Sequence, residues 1–339
     1  MRSFRLLHAA VAAALIALLL WKADIGAVGD ALSGVDVTLV VAVVALNIPV
    51  MLLLFVRSNM VLRALGHDVP VRLLLPAAVL GNVAGSLTPA SAGDLLRAAV
   101  LRTHADIPAE DGLALVIYER GVSVYLMALG TGAIAAIRWL PLPFALASAG
   151  AAGALTLLPI AAGQLLVAKL PLTPRTEAGL RARLLRRASG VAERLAAALG
   201  DARLMLRWSP VTAAIFGINA LQLWLVTESV SGGVRIDEAW IGFGASQLAG
   251  IVSLLPLGLG AADGSLAALL RQMSSLSLDE STAVAVLVRL AMTLPLGVSA
   301  VGAYLYLLAQ RAVASPPAAS GEDEERRSGR RDVRGGGTL

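Results

Sequence analysis

Long apolar runs alternate along the chain with short polar segments that carry arginine. A helix needs about 20 residues to cross a hydrocarbon core of ~30 Å. Six runs are of that order: residues 4–21, 35–56, 113–137, 142–168, 211–230 and 282–309. Each predicts a full transmembrane helix. Two further runs, 73–89 and 240–260, differ in kind. They turn rich in Gly, Ser and Pro toward their ends and lead straight into short amphipathic pieces bearing Asp and Arg. They predict broken hairpins rather than spans. The fold class expected is all-α and integral to a membrane.

Charge placement sets the topology. With a cytoplasmic N-terminus, the first helix exits at Lys22 and the second returns at Arg57, leaving Arg57, Arg63 and Arg72 inside. The span at 113–137 has to end outside near Arg138, so that the next one returns to the basic segment after Lys169. Arg97, Arg102 and His104 then lie inside as well, and the 73–97 stretch enters and leaves by the same face. By the same logic 240–271 dips in from the outer face. Twenty-two of the 28 Lys+Arg fall inside and four outside (Lys22, Arg138, Arg235, Arg271), with Arg120 and Arg289 within spans. This asymmetry is the positive-inside pattern and places both termini in the cytoplasm, with the chain in a bacterial-type inner membrane. The opening Arg2/Arg5 and Ala/Leu run is shared with signal peptides. It lacks a small-x-small exit and is read as a retained first helix.

Between the fourth and fifth spans, residues 172–208 place Leu180, Leu184, Ala188, Val191, Leu195 and Leu199 at helical spacing, with arginines opposite. This predicts a basic amphipathic connector, lying on the anionic leaflet or solvated as a linker. The membrane domain is expected to cover 1–312, and the mixed Glu/Arg/Gly tail 313–339 to be disordered.

The two hairpins resemble each other. Gly81-Asn-Val-Ala-Gly85 parallels Ser246-Gln-Leu-Ala-Gly250, and Pro89 with Gly93 parallels Pro256 with Gly260. From there the register is constant at 169 residues: Asp94 on Asp263, Arg102 on Arg271, Glu110 on Asp279, Arg120 on Arg289. Repeat 1 spans about 35–137 and repeat 2 about 211–310. The charge-derived topology gives the copies opposite orientations, an arrangement in which transporters build sites from broken helices near the midplane. The breaks at Pro89, Gly93, Pro256, Gly258 and Gly260 put non-helical backbone at membrane depth, which survives only where buried in protein or lining a wet cavity.

An arginine deep in a span costs about 3 kcal/mol on insertion scales, so Arg120 and Arg289 need partners. Asp94 and Asp263 are the obvious ones, with Glu119 a third. In one reading the arginines, with Arg97 nearby, meet a phosphate headgroup through their planar donor forks. In the other they form structural pairs that pin each hairpin to its long helix. The two are compatible, since such a pair can be exchanged for a ligand phosphate. Asp94 and Asp263 each precede a short helix, so simple N-capping is the plainer role, although those N-termini are also ready anion sites. Asn47, Pro49, Asn219 and Gln222 either line the same cavity or glue helices together.

Composition narrows the chemistry. Charged residues make up 15% of the chain and apolar ones 57%, far from soluble norms. There is no cysteine, which excludes disulfides and thiolate metal sites. His8, His67 and His104 are scattered, which argues against a zinc site. The arginines flank apolar spans without interleaved aromatics, which argues against nucleic acid. No nucleophile–base pairing, P-loop or dinucleotide fingerprint is present. No catalytic residue, metal or cofactor is expected.

The segments Thr88-Pro-Ala-Ser-Ala-Gly-Asp94 with Arg97, then Glu119-Arg120, then Pro256-Leu-Gly-Leu-Gly260 with Asp263 resemble the lysylphosphatidylglycerol synthase transmembrane-domain family, also called flippase-like. The likeness runs over roughly residues 6–310. Members commonly carry Glu where this chain has Asp94 and Asp263. The resemblance implies a domain that moves lipids or lipid-linked groups between leaflets, with membrane lipids and a lipid-linked glycan or aminoacyl-lipid as partners. After Gln310 only a short charged tail follows, so lysyl-lipid synthesis is not expected. The expected function is translocation of a phospholipid, glycolipid or polyprenyl-phosphate-linked group. The alternative is a membrane scaffold within a lipid-modifying or glycosyl-transfer pathway, with a glycosyltransferase or a second copy of the chain as protein partner.

Overall fold

A computed structural model describes residues 33–169 and 180–314; the expected first span and almost all of the charged tail lie outside these residues. The described residues form helices and turns with no strand. In chain order the helices are α1 Val37–Ala45, α2 Asn47–Ala64, α3 Val71–Leu87, α4 Leu95–Ala105, α5 Ala109–Trp139, α6 Leu142–Leu155, α7 Leu158–Lys169, α8 Leu180–Gly200, α9 Ala202–Val230, α10 Ile236–Ser253, α11 Ala261–Met273 and α12 Leu278–Ala314. Short 3-10 turns, Pro89–Asp94 and Pro256–Gly258, join α3 to α4 and α10 to α11. Five helical stretches are long and apolar enough to cross a membrane: Val37–Ala64, Ala109–Trp139, Leu142–Ala168, Ala202–Val230 and Leu278–Gln310. They fall on the five expected spans that lie within the described residues.

Several boundaries differ from those expected, each for a local reason. The second span is broken at Leu46 because Pro49 has no N–H to offer the Ala45 carbonyl. The Asn47 amide repairs the break, donating to the Val43 and Val44 carbonyls at 3.3 and 3.0 Å and to Ala291 O of α12 at 3.1 Å. The same span runs on to Ala64, eight residues beyond its apolar stretch. The fourth span is interrupted at Thr156–Leu157, ahead of Pro159. The connector ends at Gly200, because Asp201 caps a new helix, accepting from the Arg203 and Leu204 N–H groups at 2.9 and 3.1 Å. Residues 202–208 therefore belong to α9. Helix α12 reaches Ala314, two residues into the expected tail.

Helix α5, 31 residues and about 46 Å long, is the ruler of the fold. At its start, buried Asp111 meets His67 of the α2–α3 loop at 2.7 Å and Arg194 of α8 at 3.0 Å. At its other end, Arg138 meets Asp237 and Glu238 at the start of α10, at 3.6 and 3.5 Å. The two hairpins thus begin at opposite ends of α5. Each hairpin packs on itself (α3 on α4, α10 on α11), on the long helix that follows it (α4 on α5, α11 on α12) and on the long helix that follows the other hairpin (α3 on α12, α10 on α5). Among the described residues, two larger apolar cores lie along α9, with a smaller one around Ile215 between them. One gathers Leu62, Leu74, Leu101 and Leu115 around Trp208 and Tyr118, whose rings meet edge-on at 5.2 Å. The other gathers Leu223, Val226, Phe243, Leu266, Leu270 and Val288.

Candidate functional site

The first hairpin closes on two glycines. Gly93 crosses so near α3 that a Cβ there would lie 2.0 Å from the Ala84 carbonyl oxygen. Its N–H donates to Thr88 Oγ1 at 2.6 Å, and Thr88 in turn donates to Ala84 O at 2.9 Å. Gly85, one residue on, leaves room for the Asp94 carboxylate: a Cβ would fall 2.2 Å from Asp94 Oδ1 and 2.8 Å from Arg120 Nη2. Asp94 is buried and accepts from Arg120 Nε.

The second hairpin reaches the same pairing by a tighter route. Leu254, Leu257, Gly258 and Gly260 all adopt positive φ, at 55°, 56°, 61° and 79°. Gly258 presses on Gly250, where a Cβ would meet Gly250 Cα at 2.9 Å. Asp263 accepts from the Gly260 N–H at 2.9 Å and from Arg289 Nε at 2.6 Å. Arg289 also donates from Nη1 to the Leu257 carbonyl at 3.0 Å. The aspartate-to-arginine separation is 26 residues in both pairs. Each arginine lies about 16 Å along its long helix from that helix's first residue.

N-capping, the plainer role expected for the two aspartates, describes neither pair fully. Asp94 sits at the N-cap of α4, but its carboxylate accepts nothing from that helix. Asp263 lies inside the first turn of α11 and shares its carboxylate between Gly260 and Arg289.

Glu119 does not join Arg120. Successive helical residues point about 100° apart, so Glu119 faces α2 and α4 while Arg120 faces the break. Glu119 is 1% exposed and sits 2.5 Å from Arg97 Nη1, 3.7 Å from Arg57 Nη2, and 2.8 Å from Ser58 Oγ, which donates to it. Arg97 also donates to Ser58 Oγ at 3.1 Å, and the foot of its side chain lies against Gly81. Arg57 donates to Ser123 Oγ at 3.0 Å, and its guanidinium lies 5.3 Å from the Trp208 ring centroid.

Arg57 and Ser58 are absent from the residues singled out in the sequence, where Arg57 reads as a charge flanking an apolar run. The signal was periodicity: Val50, Leu54, Arg57, Ser58, Val61 and Leu62 recur at helical spacing on the buried face of α2. Asn47 and Gln222 act as interhelical glue, the latter donating to Val43 O at 2.9 Å. Among the described residues, no group of three or more His, Asp or Glu converges as a metal would require.

The family described as "Lysylphosphatidylglycerol synthase TM region" matches residues 5–300 of the 339. No curated protein matches the sequence. The chain belongs to that family and is a multi-pass membrane protein of the lipid-related, flippase-like kind.

Proposed function

We propose that this family member translocates a phospholipid, a glycolipid or a polyprenyl-phosphate-linked group across the inner membrane, with both termini in the cytoplasm. In this reading the α3–α4 and α10–α11 hairpins are re-entrant, enter from opposite faces and form an inverted repeat. The observation that carries it is the matched pairing of Asp94 with Arg120 and of Asp263 with Arg289, at the same 26-residue separation, in hairpins that start at opposite ends of α5. Two copies of one device in mirrored orientation supply two related states by exchanging which copy is splayed. An ion pair at membrane depth is held by its surroundings, and a headgroup phosphate can take the carboxylate's place on the guanidinium fork.

The test is leaflet exchange by the purified protein in liposomes with headgroup-labelled lipids. Arg120→Ala and Arg289→Ala should each abolish exchange while the protein remains folded. No acceleration by the wild type would sink the transport reading and favour a scaffold; chemical conversion of the lipid would identify an enzyme. Unaltered exchange in both variants would remove the paired arginines from the mechanism.

A further inference from the structure

The two copies share the Asp–Arg pair but differ in what surrounds it. At the 169-residue register, Arg97 and Glu119 of the first copy correspond to Leu266 and Val288 of the second, both buried in an apolar core. The second copy is therefore electrically balanced: one carboxylate, one guanidinium. The first gathers three guanidiniums (Arg57, Arg97, Arg120) and two carboxylates (Asp94, Glu119), an excess of one positive charge. Four of the five residues are at most 9% exposed. Arg57 Nε, Arg97 Nε and Arg120 Nη2 are each buried with no hydrogen-bond acceptor among the described residues. These donors come from three different helices, α2, α4 and α5. A buried charge left without a counter-charge costs several kcal/mol, and the Trp208 face offsets only part of that for Arg57.

We infer that the first copy is an oxyanion site for a single phosphate-type group, with Arg57 and Arg97 as its principal ligands. Ser123 accepts from Arg57 and Ser58 from Arg97, which holds the two guanidiniums in place, while Glu119 is the carboxylate with which the anion competes. The unpaired Nε–H groups of Arg57 and Arg97, on the face of the cluster that Glu119 shares, suit an anion with several acceptor oxygens, and its negative charge neutralises the excess to which Arg120 contributes from the other face of α5. The position agrees with entry from the cytoplasmic side: Arg57 lies seven residues before the end of α2 and Trp208 six after the start of α9, each about 10 Å in. The inference deepens the transport reading by assigning phosphate recognition to one hairpin only, the second serving as an electrically balanced counterpart. It rests on that reading for its role but is decided by binding rather than by exchange.

The experiment uses the delipidated full-length protein in an uncharged detergent. Inorganic phosphate and a soluble short-chain phosphatidylglycerol are titrated separately, with Trp208 fluorescence as the local reporter and Trp208→Phe as the blank. Saturable binding of either is expected, weakened at least about tenfold by Arg57→Gln and by less in Arg57→Lys, which keeps the charge but loses the Nε–H and the fork. Glu119→Gln, which removes the competing carboxylate, should tighten binding by about tenfold even if Arg57→Gln fails to fold. Binding of inorganic phosphate alone assigns the site to free phosphate; binding of the lipid alone assigns it to a headgroup. Absence of saturable binding by both, an unchanged affinity in folded Arg57→Gln, or weaker binding in Glu119→Gln would overturn the proposal. Binding without leaflet exchange would sink transport and leave the site standing.

Discussion

The Arg289 guanidinium donates to the Leu257 carbonyl at 3.0 Å while the same side chain holds Asp263, so one residue ties the hairpin break to both the helix after it and the long helix behind it. Arg120 holds Asp94 in the first hairpin, but its Nη2 has no acceptor among the described residues. The second break is thus the more tightly fastened of the two. Lysine in place of Arg289 retains the charge but lacks the planar fork that reaches two acceptors at once. Arg289→Lys should therefore loosen the turn around residues 254–260 by about 1.5–3 kcal/mol, the worth of a charge-assisted hydrogen bond. Amide hydrogen exchange at Gly258 and Leu259 reads this directly. Unchanged protection there would show that the carbonyl bond does not fasten the turn.

Gly85 predicts a sharp contrast between two nearly identical substitutions. In Gly85→Ala the new methyl would collide with both Asp94 Oδ1 and Arg120 Nη2. One of them has to move, which costs about 1–3 kcal/mol as overpacking and more where the ion pair opens. Gly264, in the first turn of α11, has nothing within 4 Å of the equivalent position, so Gly264→Ala should be neutral or gain up to about 1 kcal/mol of helix propensity. Thermal unfolding in detergent compares the two. A similar melting temperature for both variants would mean that the Asp94–Arg120 contact tolerates a displaced partner.

Leu254 ends α10 in the left-handed region with φ 55°, and its side chain is 49% exposed. A left-handed conformation costs an L-residue roughly 1–2 kcal/mol, and a helix end of this shape ordinarily carries glycine. Leu254→Gly relieves that cost while giving up little packing. The expected outcome is a gain of about 1 kcal/mol, seen as a raised melting temperature. A lowered one would show that Leu254 is held left-handed by contacts worth more than the strain.

The parts of this fold legible in the sequence are those with a strong physical imperative behind them. Apolar runs of span length mark helices because the bilayer admits little else. The Asp94–Arg120 and Asp263–Arg289 pairings were legible because each arginine needs a counter-charge and the same 26-residue spacing occurs twice. The Arg57 cluster was not. Its counter-charge, Glu119, lies on another helix, and Ser58, beside Arg57, is 61 residues from it in sequence. An apolar count also stops at Arg57, although the helix continues to Ala64. Helix ends here follow capping and proline chemistry, as at Asp201 and Pro159, more than they follow hydropathy. The difference between the two copies, charged around Asp94 and apolar around Asp263, depends on which residues α2, α4 and α5 bring together, a tertiary fact with no periodic signature.

The opposite orientation of the hairpins is open to a direct chemical test, because the chain has no cysteine and any introduced thiol is the sole target. Arg102 near the end of α4 and Arg271 near the end of α11 are equivalent at the 169-residue register, and both are exposed. The ends of α5 separate their two environments: the first hairpin starts beside Asp111, the second beside Arg138. With α5 spanning the membrane, a membrane-impermeant maleimide added to intact cells should label Arg271→Cys. It should reach Arg102→Cys only after the membrane is opened. Labelling of both positions once the membrane is opened is the control by which a difference in intact cells reports sidedness rather than local reactivity. Equal labelling of the two from one side would place both hairpin mouths in a single compartment. The matched Asp–Arg pairs would then be two copies facing the same way, and the exchange of splayed and closed hairpins across the bilayer would lose its structural basis.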